Sequence, residues 1–245
     1  MFEEILFKNA DSKYRDFSAK LNPTIPKDEI IGVRMPALRK IANNLWKEEN
    51  EKCLALMQSL PHNYYEESIM HGMFIGKLKD FDRTCEALDL YIPTIRSWSE
   101  SDPLTPNVFK KHPDQLIKSG YIEKWLSDTH VYVKRFGMIL LMNCCLGDSV
   151  FEERFPEMVI DSEEDYLSRN FEKPYKAPKE KSDDYYLRMM TAWYFATAIA
   201  YQKDKILPYY EKKRLEPWTH RKSIQKCMES YRVDDELCEY LRTLK

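Results

Sequence analysis

Apolar residues recur along this chain at helical spacing, and they nowhere alternate in a convincing strand pattern. In "MPALRKIANNLWKE" the residues Leu38, Ile41, Leu45 and Trp46 fall on one side of a helix, and Pro36 suits its first turn. Tyr65, Ile69, Met73 and Leu78 form a second stripe, and Cys85, Leu88 and Ile92 a third. "VYVKRFGMILLMNCCL", "DDYYLRMMTAWYFATAIAY" and "HRKSIQKCMESY" continue the series, and only six glycines occur in the 245 residues. The pattern predicts roughly a dozen helices of about 10–18 residues, joined by short polar or proline-marked turns. Such helices bury their apolar faces only against one another. The economical arrangement is antiparallel pairs stacked side by side, an all-α solenoid or superhelix with pairs about 40 residues long, and a compact bundle is the alternative. We expect one domain over residues 1–245. The segment "DSEEDYLSRNFEKPYKAPKEKSDD", residues 161–184, has two prolines, many charges and little periodicity, so a long loop or partly ordered insertion is expected there.

Apolar residues make up 43% of the chain and charged residues 32%, a balance that excludes a disordered chain. No apolar run is long enough for a membrane helix. The N-terminus carries acids early and lacks a signal-peptide pattern, so a cytoplasmic protein that does not engage membranes is expected. The six cysteines form no C-x-x-C and sit at no zinc-ligand spacing from histidine, so neither a metal site nor a disulfide framework is expected. No Walker loop, Gly-rich phosphate loop or Ser/His/Asp order is present. The five histidines are dispersed, and His71, in an apolar helix, reads as a hydrogen-bonded core residue. Net charge is −2 but polarised. Residues 148–165 hold eight acids against Arg154 alone, and residues 203–232 hold nine lysines and arginines against four acids. A polarised chain can present one basic surface; two solvated helix faces are the simpler reading.

"IRSWSESD" places Trp98 and Asp102 four residues apart, on one face if the segment is helical. Trp98 could equally pack in the core, and Asp102 before Pro103 reads well as the N-cap of a following helix. Arg135 begins an apolar helix and is either a structural ion-pair partner or a ligand for an anion. Trp193 lies among Met189, Met190, Phe195 and Ile199, where core packing is the alternative.

At these residues the sequence resembles the AlkD-type alkylpurine DNA glycosylases, an all-helical family of HEAT-like repeats. "GVRMPALRKIA", the Trp-x-x-x-Asp of "WSESD", the Arg of "VKRFGMILL", "YYLRMMTAW" and "WTHRKSIQKCMESYRV" occur in the family's order and span nearly the whole chain. Family members often carry Asn or Asp next to the first Trp, where this chain has Ser97 and Ser99. The resemblance implies excision of N3- or N7-alkylated purines from double-stranded DNA by a monomer without metal or organic cofactor. It implies Asp102, Trp98 and Trp193 as catalytic residues, and Arg135, Lys134, Arg34, Arg221 and Lys222 as DNA contacts in a basic groove. The non-catalytic alternative is a HEAT-like module that binds DNA or a protein.

The chemistry suits these residue types. An N3- or N7-alkylated purine is a cation and leaves as a neutral base, so no general acid is needed. Positive charge develops on the deoxyribose, as in glycoside hydrolysis. A carboxylate beside it stabilises that charge and can orient water. Indole faces attract cations by about 0.5–2 kcal/mol each, and a guanidinium fork matches phosphate.

Overall fold

A computed structural model describes residues 2–245, and among them every regular element is helical. The chain divides into two compact units, one ending at Lys111 and one beginning at His112. The first holds α1 (Phe2–Lys8), α2 (Ser12–Leu21), α3 (Met35–Glu48), α4 (Asn50–Met57), α5 (Tyr65–Ile75), α6 (Phe81–Tyr91), α7 (Trp98–Ser101) and α8 (Asn107–Lys111). The second holds α9 (Pro113–Lys118), α10 (Tyr121–Leu126), α11 (Val131–Cys144), α12 (Phe155–Asn170), α13 (Asp183–Tyr201), α14 (Lys203–Glu211), α15 (Pro217–Met228) and α16 (Asp235–Thr243). The helices are more numerous and shorter than the periodicity predicts. Turns such as α7 are too short to show a hydrophobic period.

In the first unit α5 is the centre, with α3, α4, α6 and α7 packed around it. Its residues are buried nearly all round, as a helix enclosed by neighbours must be. Gly32 has φ +97°, and a Cβ there would lie 2.5 Å from the carbonyl oxygen of Asp11, so the "GVRMP" segment needs glycine to pass close beneath α2. In the second unit α13 is the centre. It packs on α11 and α15, with α12 and α14 against it, and α10 rests on α11. This succession of paired helices is consistent with a HEAT-like α-solenoid. Gly137 of α11 allows α10 to approach, since a Cβ would stand 3.1 Å from the side chain of Leu126.

Residues 161–184 are not one insertion. Residues 161–170 complete α12 as helix, and residues 183–184 open α13, capped by the Ser182 hydroxyl. Only residues 171–182 are irregular. Of the charges on α12 that suggested a loop, Asp161 and Arg169 face solvent, Glu164 and Asp165 are half-buried and Glu163 is buried. The acidic and basic stretches partly neutralise each other, since Glu157 pairs with Arg214 at 2.8 Å and Glu153 with Lys205. Among the described residues no helix is long and apolar enough to cross a membrane.

Candidate active site

The four-residue helix α7 is positioned by a carboxylate buried beneath it. Ser97 and Glu100 form a capping box, in which Glu100 Oε2 accepts the amides of Arg96 (3.0 Å) and Ser97 (2.9 Å). Its other oxygen accepts the Ser68 hydroxyl of α5 at 2.5 Å. Burial raises the Glu100 pKa, and the hydrogen bonds from Ser68 and the Arg96 amide oppose that rise. Below α7, Tyr91 donates its hydroxyl to the Ser68 carbonyl at 2.7 Å, and His71 stacks on Tyr91 with ring centroids 4.4 Å apart. His71 is 1% exposed and bonded to His62 at 2.8 Å, which makes it the hydrogen-bonded core residue expected.

The segment 21–29, distant in sequence, fixes α7 from the other side. Ser99 donates to Asn22 Oδ1 at 2.5 Å and is bonded to the Tyr65 hydroxyl. The Thr24 hydroxyl donates to the Arg96 carbonyl at 2.6 Å, and Arg96 pairs with Glu29 at 2.5 Å. Ser97 and Ser99 thus anchor the turn: one caps it and the other ties it to α2 and α5.

On this turn Trp98 and Asp102 sit as their spacing predicts. The Asp102 amide donates to the Trp98 carbonyl at 2.9 Å, closing one helical turn between them. Both are half-buried, so Trp98 is not simply core. Its indole N–H donates to the Leu21 carbonyl at 3.2 Å, which orients the ring. The Ser101 hydroxyl donates to Asp102 Oδ1 at 3.1 Å. The N-cap reading of Asp102 is incorrect. Asp102 ends α7 in αR geometry, and Pro103 begins no helix because residues 102–106 are turn and coil.

The expected cations fare unequally. Lys134 has a fully buried side chain whose Nζ donates to the Leu126 carbonyl and to Asp165, each at 2.9 Å. Arg135 is 5% exposed and gives Nη1 to the Tyr186 carbonyl at 2.6 Å. Neither side chain stands on an open surface as the expected DNA contacts would: these two groups join α11 to α10, α12 and α13, because α11 is enclosed and its first-turn charges find internal partners. Arg34 is exposed but forked on Asp11, with Nη2 at 2.8 Å and Nε at 3.1 Å. The Tyr14 amide and the Arg34 side chain hold the Asp11 carboxyl below its usual range. Lys222 lies 5.6 Å over the Trp218 ring and donates to Gln225, while Arg221 is exposed on α15. Trp193, in the middle of the otherwise buried α13, is 40% exposed, so the core-packing alternative fails for it too.

The model of the family described as "DNA alkylation repair enzyme" matches residues 5–150. The protein belongs to that family. No curated protein matches the chain. As a DNA alkylation repair enzyme it has DNA as its partner. The matched span contains Arg34, Trp98, Asp102, Lys134 and Arg135, and it ends before Trp193, Arg221 and Lys222. Sequence reasoning missed the groups that hold the repair enzyme's candidate turn, namely Glu100, Ser68, Asn22 and Tyr65. The S-x-x-E of "SWSE" was a legible capping box. The partners of Ser99 are 34 and 77 residues away and left no local signal.

Proposed function

We propose that the protein is a DNA glycosylase that releases cationic N3- or N7-alkylated purines from double-stranded DNA by hydrolysing the N-glycosidic bond. The observation that carries this reading is the Trp98–Asp102 turn: an indole face and a carboxylate on one helical turn, each oriented by its own hydrogen bond. In the reaction the C1′–N bond breaks, its electron pair returns to the purine, and the base departs neutral. The Asp102 carboxylate stabilises the sugar cation and orients the water that attacks C1′. The Trp98 face attracts the alkylpurine cation and the sugar cation. Trp193 supplies an aromatic surface on the second unit, and exposed Arg221 and Arg34, with half-buried Lys222, supply charge toward phosphates. Neither metal nor organic cofactor enters these steps, and we assign the work to a cytoplasmic monomer.

The test is incubation with methylated duplex DNA, measuring free base released. The wild type should release base. Asp102→Asn should fold and bind DNA but excise roughly tenfold to a thousandfold more slowly, the scale of losing about 1.4–4 kcal/mol of electrostatic stabilisation. Equal rates would remove Asp102 from the mechanism. One observation favours a second reading, a non-catalytic DNA-binding or protein-interaction module: two of the five expected DNA-contacting cations, Lys134 and Arg135, are buried. A wild type that binds DNA and releases no base would establish it.

A further inference from the structure

On the second unit, Trp193 of α13 shares a cavity of about 310 Å³ with the end of α15 and the turn that follows it. That volume is at the small end of ligand cavities, about 300–1,000 Å³, so it suits one nucleotide rather than an oligomer. Lys226 and Glu229 line it from α15, and Ser230, Tyr231 and Arg232 line it from the turn. Tyr231 is 92% exposed, so folding gains almost nothing from burying it. Arg232 is exposed, lies 5.6 Å from the Tyr231 ring, and forms no ion pair among the described residues. Lys226 is paired with Glu229 at 2.7 Å, which leaves the guanidinium as the cleft's uncompensated charge. A single exposed aromatic residue is ordinary. Two aromatic rings and an unpaired guanidinium around one small cavity are what a nucleotide requires: planes on which a base stacks and a cation for its phosphate.

We propose that this cleft is a nucleotide subsite, in which Tyr231 and Trp193 stack with a base or sugar of the bound DNA and Arg232 holds the adjoining phosphate. The proposal rests on the reading of the chain as a DNA-acting enzyme and adds a contact region outside the family match. Recognition is sequence-tolerant, since every base presents a π face.

The test uses the full chain and measures duplex DNA binding across a salt series for wild type, Tyr231→Ala, Arg232→Ala and Tyr201→Ala. Tyr201 is an exposed tyrosine at the end of α13 that does not line the cleft. Tyr231→Ala should weaken binding about tenfold at every salt concentration with the salt slope unchanged. Arg232→Ala should lower the slope of log K against log salt by about 0.9, the value for one phosphate contact. Tyr201→Ala should bind as wild type does, and all melting temperatures should agree because these side chains are exposed. A wild type that binds DNA while Tyr231→Ala and Arg232→Ala bind equally well overturns the subsite alone, leaving the cleft to another partner such as a peptide. A wild type that binds no DNA overturns both the subsite and the proposed function.

Discussion

Glu66 in the first unit and Glu163 in the second are nearly equally buried, 1% and 3% exposed, yet their surroundings are opposite. Glu66 Oε1 accepts the amides of Gly32 (2.7 Å) and Val33 (3.1 Å), and Oε2 accepts that of Ile31 (3.0 Å). Glu163 Oε1 accepts the Thr219 hydroxyl at 2.8 Å, and its other oxygen is buried without a hydrogen-bond partner. Burial pushes the Glu163 carboxyl up to about 7, against the pull of Thr191, Thr219 and the Arg188 charge. Depth is therefore a poor guide to what a buried acid does. Glu66 is a clamp that holds the "IGVR" backbone on α5, where three backbone donors offset its desolvation. Glu163 is a group whose charged form its surroundings penalise. Arg188, fully buried nearby, is paired with Glu216 and lies 5.1 Å over Trp218, so its charge is largely committed elsewhere.

The sharpest way to break this comparison is Glu66→Gln. Both carboxylate oxygens receive amides, so either orientation of a glutamine sets a donor against a donor. Stability should fall by about 2–4 kcal/mol in urea denaturation. Unchanged stability would show that Glu66 is not a clamp.

Glu163→Gln should do the reverse. The folded pKa is raised above the unfolded 4.5, so this group's contribution is fully present below pH 4.5 and is lost as pH rises through about 7. The variant should match wild type near pH 4.5 and exceed it above pH 7, by on the order of 1–3 kcal/mol. Equal unfolding midpoints at pH 8 would contradict this.

The histidine pair sharpens the contrast with the opposite sign. Burial lowers His62 to about 4 and His71 to about 3, with repulsion from His62 adding to the latter. Their contribution is fully present above the unfolded value of 6.5 and is lost as pH falls toward those values. The loss should reach about 2 kcal/mol per imidazole at pH 5. Ring resonances in NMR should show two imidazoles that do not titrate above pH 5.

The smallest effect concerns Trp98. Trp98→Phe loses the bond to the Leu21 carbonyl while keeping most of the packing, and should cost about 0.5–1.5 kcal/mol by thermal melting. Excision of a cationic alkylpurine by the folded protein should slow, because phenylalanine holds cations less strongly. A large melting loss with normal excision would show that Trp98 serves only the fold.

The all-helical class, the positions of α3, α11, α13 and α15, and the one-turn relation of Trp98 to Asp102 were legible in the sequence. Each is a local property: a hydrophobic period, a proline at a first turn, or a spacing of four on a helix. Everything that required knowing which residues meet across the chain was decided by tertiary structure. Residues 161–170 look like loop by composition, yet α12 forms because Val159, Ser162, Glu163 and Leu167 are buried. The sequence leaves Arg135 open between an internal partner and an anion, and the resemblance implies Lys134 as a DNA contact, until α11 is enclosed and Asp165 and the carbonyls of Leu126 and Tyr186 appear beside them. Trp193 reads as core by its neighbours, yet it is 40% exposed and faces a cleft. Charge and aromaticity are written residue by residue, but whether a cation faces water or a buried carboxylate depends on partners tens of residues away, and no local pattern encodes that pairing.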